Sequence, residues 1–316
     1  MLRYLARRLL LSIPVLWGVT LIVFIAIRLV PGDALVAKMQ GEFSAKPEQM
    51  ARMRVELGLD VPAPIQYVVW LGGVVHGDLG TSMNTFRPVS TEILSRVPIT
   101  AELAALSLLF GMLFAVPVGV VSAVFQDTWI DYLGRIMSML ALSVPSFVIA
   151  SALILFPALW WDYFPPLGLA QVTQNPLENL QQVLPAALAL GAILTGGIMR
   201  MTRSGALEVL RSDHVRTARA KGLPEAAVVW RHVLKGALVP VVTLAGSDFG
   251  RLLGGTVIIE SIFAFPGIGL LTLTSIQLRD YTQLQGNVLF IATVVVFFNL
   301  VVDLLYGIID PRIRYA

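Results

Sequence analysis

Residues 103–125 read LAALSLLFGMLFAVPVGVVSAVF, a stretch without a single charged residue. A membrane-spanning helix needs about 20 mostly apolar residues to cross a hydrocarbon layer of about 30 Å. Further stretches that meet this requirement with few interruptions run over residues 9–30, 136–161, 183–199, 236–264 and 286–309. The chain is therefore predicted to be an all-α integral membrane protein with six transmembrane helices.

The composition of the whole chain agrees with a membrane protein. Of its 316 residues, 56% are hydrophobic and 14% are charged, and the mean hydropathy is +0.78. Soluble domains are about 45–50% apolar and about 25% charged. A soluble enzyme and a disordered chain are both excluded, since disorder requires low hydrophobicity and high charge. The chain has no cysteine, which excludes disulfides, thiolate metal sites and cysteine catalysis.

The basic residues are distributed unevenly, which predicts the orientation of the chain. Residues 200–235, here called the basic segment, carry eight of the 23 Lys and Arg residues, and both termini are basic as well. The positive-inside rule then predicts that the basic segment and both termini lie in the cytoplasm. A cleaved signal peptide is the alternative for the first stretch, but its apolar run exceeds the about 7–15 residues of such peptides.

The polar residues divide the chain into three parts. Residues 1–30 hold an N-terminal cytoplasmic stub and the first helix, residues 31–98 form a polar region outside the cell, and residues 99–316 form a core of five helices. A loop of this length is typically functional or disordered. Because residues 47–57 and 65–75 carry apolar and aromatic stripes, we expect a small folded cap that docks a partner, and not merely a solvated connection.

The basic segment is predicted to fold as a helix, a glycine turn and a second helix. Ser212 and Asp213 suit the start of a helix over residues 214–221, and Gly222 suits its end. Pro224 followed by Glu225 suits the first turn of the next helix. A basic surface beside anionic lipid headgroups is the alternative, although it explains the charge and not the turn.

Sequence motifs for catalysis are absent from the chain. There is no P-loop, no H-E-x-x-H and no G-x-S-x-G pattern. His214 and His232 share the basic segment but are separated by 18 residues and a break, so we expect no metal site there.

Charged residues inside the predicted spans are the remaining candidates for function. Such residues are costly in lipid and usually face a bundle interior or a water-filled path. They are expected either to line a translocation path or to pair with one another, and they are Asp248, Arg251, Glu260 and Asp303. Most lie near the ends of spans, whereas a proton relay needs several such groups deep within different spans. A proton relay is therefore not favoured.

Residues 214–243 read HVRTARAKGLPEAAVVWRHVLKGALVPVVT. This stretch resembles the cytoplasmic loop of permease subunits of ATP-binding-cassette (ABC) importers, in the version of the dipeptide/oligopeptide/nickel branch. HGDLGTS at 76–82, RPVSTEILSRVPIT at 87–100, ESIFAFPGIG at 260–269 and NLVVDLLYGIIDPRIRY at 299–315 are similar to the same branch. Arg216 departs from the Glu of the general family pattern, and the proline expected at Lys235 is found at Pro240.

The resemblance implies a type I ABC importer permease with no catalytic site. It implies that the chain holds no cofactor and that two partner ATPase subunits bind ATP and magnesium. A second homologous permease, an extracytoplasmic substrate-binding protein and membrane lipid are the other expected partners, and no nucleic acid is expected. The resemblance assigns ATPase coupling to a helix of the basic segment that comprises Arg216, Thr217, Ala218, Arg219, Ala220, Lys221 and Gly222.

The expected function is uptake of short peptides across the bacterial inner membrane by alternating access. Nickel or a nickel chelate is the alternative substrate. An ion-coupled secondary transporter is a further alternative, but it has no reason to carry a glycine-centred loop of this kind. A membrane-bound enzyme has no motif in its favour.

Overall fold

The computed structural model describes residues 2–29, 55, 60–164, 169–170, 172–254 and 256–309, with no side-chain detail at 2–5 and 305–309. Within these ranges the regular elements are helices, and one isolated β-bridge joins Thr81 to Pro88. The predicted helix at 47–57 lies outside the described residues except for Val55. The predicted apolar stretch at 65–75 forms a helix that begins just after Pro62, because proline suits the start of a helix.

The helices follow one another through the described chain. They are α1 (Leu2–Leu29), α2 (Ala63–Val75), α3 (Val89–Val124), α4 (Trp129–Ser143), α5 (Ser146–Trp161), α6 (Pro176–Leu210), α7 (Asp213–Ala220), α8 (Glu225–Val228), a π-helical turn (Val229–Val233), α9 (Leu234–Leu253), α10 (Val257–Ile262), α11 (Ile268–Gln277) and α12 (Tyr281–Ile309).

Five helical stretches of the described chain are long and apolar enough to cross a membrane. They are Ala6–Leu29, Val89–Val124, Pro176–Leu210, Glu225–Leu253 and Tyr281–Leu304. The pair α4 and α5 qualifies as a sixth when the two helices are taken together. The all-helical class is therefore confirmed, and the predicted number of six spans holds with the bent pair counted as one.

The predicted third span, 136–161, is wrong as a single helix. The chain bends by 95° between Ser143 and Ser146. Pro145 has no N–H to donate, and its ring forces Val144 into an extended conformation with φ −88° and ψ 121°. Pro157, by contrast, lies within α5 and does not end it.

The boundaries predicted around the basic segment are also wrong. Helix α6 continues through Arg200 to Leu210, and the next spanning stretch already begins at Glu225. Residues 200–210 and 225–235 contain no proline, so nothing in them interrupts the helical hydrogen bonds and the helices continue through both flanks. That spanning stretch ends at Leu253, before Gly254, so Glu260 lies on the separate short helix α10 and not within a span.

Glycines bring α3 and α6 into close contact at the centre of the fold. A Cβ atom at Gly191 would lie 2.8 Å from the Ser107 carbonyl oxygen, and one at Gly119 would lie 2.8 Å from the Met199 carbonyl oxygen. Small residues allow this approach, which matters in a bilayer because lipid tails are as apolar as leucine side chains. Buried residues on the two helices, including Leu103, extend the contact into a hydrophobic core.

Gly191→Ala should destabilise the protein, because its added methyl group has no space against α3. We expect a loss of about 1–3 kcal/mol, the usual cost of overpacking a core. Gly18→Ala is the matched control, since no atom lies within 4 Å of a Cβ at Gly18. Thermal unfolding of the detergent-solubilised chain measures the stability of both variants. Equal melting temperatures for the two would contradict the role given to Gly191.

Candidate functional site

Helix α7 is held against the spanning helices by one apolar face. Val215 and Ala218 are buried and lie three residues apart, so they share a face of the helix. They pack in a cluster with buried residues from α3, α6, α8, the π-turn and α9, namely Ala123, Ala206, Val228, Val233 and Ala237. The other residues predicted for this site are exposed, and they are Arg216, Thr217, Arg219, Ala220, Lys221 and Gly222.

The end of α7 is a sharp turn that requires glycine. Gly222 has φ +77°, a left-handed conformation that side chains disfavour. The Gly222 N–H donates to the Arg219 carbonyl (2.9 Å), and the Leu223 N–H donates to the Ala218 carbonyl (3.3 Å). This Schellman pattern satisfies carbonyls that a helix end otherwise leaves free. The partly buried Leu223 then joins the apolar cluster under α7.

Helix α7 begins close to the predicted residue, but the predicted side-chain cap does not form. The helix begins at Asp213, within one residue of the expected start. However, the Ser212 side chain accepts no hydrogen bond from the first N–H groups of the helix, and its hydroxyl donates to the Val209 carbonyl at 2.5 Å.

An ion pair crosses the turn after α7. Arg219 donates to the two carboxylate oxygens of Glu225 at 3.1 and 2.5 Å, which ties α7 to the first turn of α8. These hydrogen bonds favour the charged guanidinium and raise the pKa of Arg219. Both side chains are about half exposed, so solvent screens the pair and it contributes about 0–1 kcal/mol. Its main effect is to orient α7.

A buried ion pair beside the connection to α7 was not anticipated from the sequence. Asp131 at the start of α4 is fully buried and accepts two hydrogen bonds of 2.7 Å from Arg203 on α6. It also accepts from the Ser122 hydroxyl (2.6 Å) and the Asp127 N–H (3.1 Å). The partners lie 72 residues apart. No local pattern reveals such a pair, although an acidic residue in the first turn of an apolar helix is a weak signal.

The four charged residues predicted for the spans lie in three separate contacts. Asp248 pairs with Arg251 one turn along α9, and Asp303 on α12 pairs with Arg8 on α1. Glu260 is fully buried and has no cationic partner among the described residues. It accepts hydrogen bonds from other groups.

Glu260 joins α3, α10 and α11. Its carboxylate accepts from the Thr100 and Thr256 hydroxyls, both at 2.9 Å, and from the Leu270 N–H in the first turn of α11 at 2.8 Å. A carboxylate at this position satisfies an otherwise free helix N–H. Gly267 leaves room for the carboxyl group, since a Cβ atom there would collide with it.

Asp280 holds the end of the polar region against the start of α12. It accepts from the Ser82 hydroxyl (2.5 Å) and from the N–H groups of Met83 and Asn84 (both 3.1 Å) and of Gln283 (3.0 Å). Asp280 is not among the residues predicted from the sequence, because a single Asp before a helix is usually only a cap.

Helix α2 is fastened to α1 by polar side chains. The hydroxyls of Tyr67 and Thr20 lie 3.0 Å apart, and Arg28 donates to Gln66 at 2.5 Å. Phe24 contacts the Tyr67 ring edge to face, with ring centroids 5.0 Å apart. The described part of the polar region is thus anchored to the first and last spanning helices.

The fold is that of an all-helical membrane protein with a short exposed helix between two spans, and comparison with known proteins identifies the family. Family models for the inner membrane component of binding-protein-dependent transport systems match residues 115–315, and those for its N-terminal part match residues 1–104. The chain belongs to this family.

Relatives match the chain over its full length. It is 39% identical to the dipeptide transport system permease protein of Alkalihalophilus pseudofirmus, covering 100% of both chains. It is 38% identical to the protein of that name from Escherichia coli K12, covering 100% of this chain and 99% of the relative.

A solved amino acid ABC transporter with histidines has the same type of fold. The TM-score is 0.50 at 15% identity, and the match covers 71% of this chain and 95% of the other.

Removing either partner of the Asp131–Arg203 pair should destabilise the protein. Asp131→Ala and Arg203→Ala each leave a charge without its partner, which costs about 3–5 kcal/mol in a buried pair. The double variant should lose little more than either single variant, because the two residues act together. Asp127→Asn is the control, since its exposed side chain and left-handed backbone both suit Asn. Thermal unfolding measures the stability of all four variants. Losses that add up in the double variant would contradict the coupling between Asp131 and Arg203.

Proposed function

We propose that this chain is a permease subunit of an ATP-driven importer that carries short peptides into the cytoplasm. The full-length similarity to dipeptide permeases supports this substrate class. The same relatives give no support to nickel. Uptake of labelled dipeptides by the assembled transporter, in competition with unlabelled peptides or nickel chelates, tests the choice. Competition by nickel chelates alone would overturn the peptide assignment.

The chain itself is proposed to be non-catalytic. We infer that two partner ATPase subunits bind ATP and magnesium and that this chain holds no cofactor. A second, homologous permease and an extracytoplasmic substrate-binding protein complete the proposed assembly. We further propose the inner membrane as its location, with both termini cytoplasmic, because basic residues concentrate at the termini and between α6 and α8.

Helix α7 is proposed to contact the ATPase subunit, and its geometry is the observation that carries this proposal. One face is buried in the apolar cluster, while Arg216, Arg219 and Lys221 project from the exposed surface. A short helix held at one face and closed by a Schellman turn moves as a unit when it is pushed. The basic side chains suit an acidic groove on the partner.

The pair Asp248 and Arg251 is proposed to line the translocation path. The Arg251 side chain is 68% exposed although it lies within a spanning helix. An exposed charge on a spanning helix is costly if it contacts lipid, so we expect this one to face water. For Glu260 and Asp303 we propose a structural role, because each is held by partners from other helices.

Gly222→Val should uncouple ATP hydrolysis from transport. A β-branched residue disfavours the left-handed conformation at φ +77°, so the turn that holds α7 opens. We expect peptide transport by the reconstituted complex to fall about tenfold or more, a loss of about 1.4 kcal/mol or more in coupling. Gly222→Asn is the control, because Asn tolerates this conformation. Normal transport and normal stimulated ATPase activity in the Val variant would refute the assignment of α7.

Arg251→Gln should reduce transport without disturbing assembly. The variant removes the charge proposed to face the path, while Arg251→Lys retains it. Transport assays on the reconstituted complex distinguish the two variants, with subunit co-purification as the measure of assembly. Equal transport by the Gln variant and the unaltered chain would exclude Arg251 from the path.

A further inference from the structure

The two histidines of the basic segment lie side by side in the folded chain. The ring centroids of His214 and His232 are 6.2 Å apart, and the ring planes make an angle of 55°. His214 belongs to the first turn of α7, and His232 belongs to the π-turn after α8. The expectation that their separation in sequence precludes a joint site is therefore not supported by the distance.

The apolar cluster under α7 explains why the rings meet. Each histidine is next to a fully buried valine, Val215 in one case and Val233 in the other, and both valines belong to that cluster. The two backbones are therefore fixed at one point, and the neighbouring imidazoles emerge there together. The π-turn contributes because its extra residue rotates the following side chains about the helix axis, and such turns often occur at functional sites.

Ser212 prepares His214 to act as a ligand. The Ser212 hydroxyl already donates its proton to the Val209 carbonyl at 2.5 Å, so its oxygen can only accept from the His214 ring, whose Nδ1 lies at 3.0 Å and whose Nε2 lies at 3.5 Å. In the tautomer that carries the proton on the nearer nitrogen, Nδ1, the serine holds the ring and the Nε2 lone pair is available to a metal ion. Metal-binding histidines are commonly oriented by such a hydrogen bond from the other ring nitrogen.

We propose that His214 and His232 form a binding site for a divalent transition-metal ion such as Zn²⁺. Rings that share a tetrahedral zinc ion have centroids about 5 Å apart, because each Zn–N bond is about 2.0–2.1 Å long. The observed separation of 6.2 Å is about 1 Å longer, and the exposed His214 side chain is free to rotate toward His232. Among the described residues no group of three or more potential ligands surrounds the pair, so water completes the coordination.

A bound ion would clamp α7 to the following spanning helix. The clamp joins a residue of α7 to a residue of the π-turn, in addition to the Arg219–Glu225 pair. If α7 transmits movement from an ATPase subunit, as proposed above, the metal ion restrains that movement. This consequence rests on the proposed function, whereas the metal site itself does not.

Zinc binding to the full chain, purified in detergent with a tag that contains no histidine, tests the site. We expect one Zn²⁺ per chain by titration calorimetry. His214→Gln and His232→Gln should each weaken binding by about 100-fold, because the second ligand no longer acts at high effective concentration. His76→Gln is the matched control, since it removes the third histidine of the chain, on the turn after α2. Unchanged binding in the His214 or His232 variant, or lost binding in the control, would overturn the proposal.

Hydrogen exchange shows whether the ion bridges the two elements. Zn²⁺ should slow amide exchange in residues 213–220 of the unaltered chain and of the His76 variant, and leave it unchanged in His232→Gln. Binding without protection of α7 would overturn the clamp. In the reconstituted transporter, zinc should then inhibit transport through the same two histidines. If zinc protects α7 from exchange but coupled transport continues at its normal rate, the result supports the metal site and contradicts the proposed coupling role of α7.

Discussion

The close contact between α3 and α6 is the interaction on which the rest of this structure depends. Gly119 and Gly191 allow the two backbones to approach, and the hydrophobic effect cannot replace this contact inside a bilayer. The contact also positions Ser122 and Arg203, which hold Asp131 at the start of α4. The connection from α6 into α7 is therefore supported from two sides.

Buried carboxylates fasten the shorter elements to the spanning helices. Asp131 holds the bent pair α4–α5, Glu260 holds α10 and α11, and Asp280 holds the end of the polar region. Each accepts hydrogen bonds from at least one N–H group and one side chain. A buried charge persists only when it is compensated in this way, so these contacts specify where each short helix lies.

The basic segment has one side that is packed against the spanning helices and one side that is exposed. Its apolar cluster, the Gly222 turn and the Arg219–Glu225 pair hold α7 in place, while arginines, a lysine and His214 face outward. The exposed basic side chains and His214 therefore belong to the same small element, and the proposals made above for a partner subunit and for a metal ion both concern α7.

The sequence by itself determined the helical class, the number of spans with the bent pair counted as one, the turn at Gly222 and a helix predicted over residues 214–221 and found over 213–220. These features follow from local rules, namely the length of apolar runs, the conformational freedom of glycine and the patterns at helix ends. The 95° bend between α4 and α5 also has a local cause in Pro145, but proline within α5 is tolerated, so the outcome depended on packing.

Only the tertiary structure decided which residues meet. The pairs Asp131–Arg203 and His214–His232, and the contacts of Glu260 with Thr100 and Leu270, join positions that are far apart or separated by a turn. Such contacts arise from the docking of whole helices, which is set by small residues and buried apolar clusters spread over the chain. Local periodicity carries no information about these distances, and for that reason they emerged only from the folded chain.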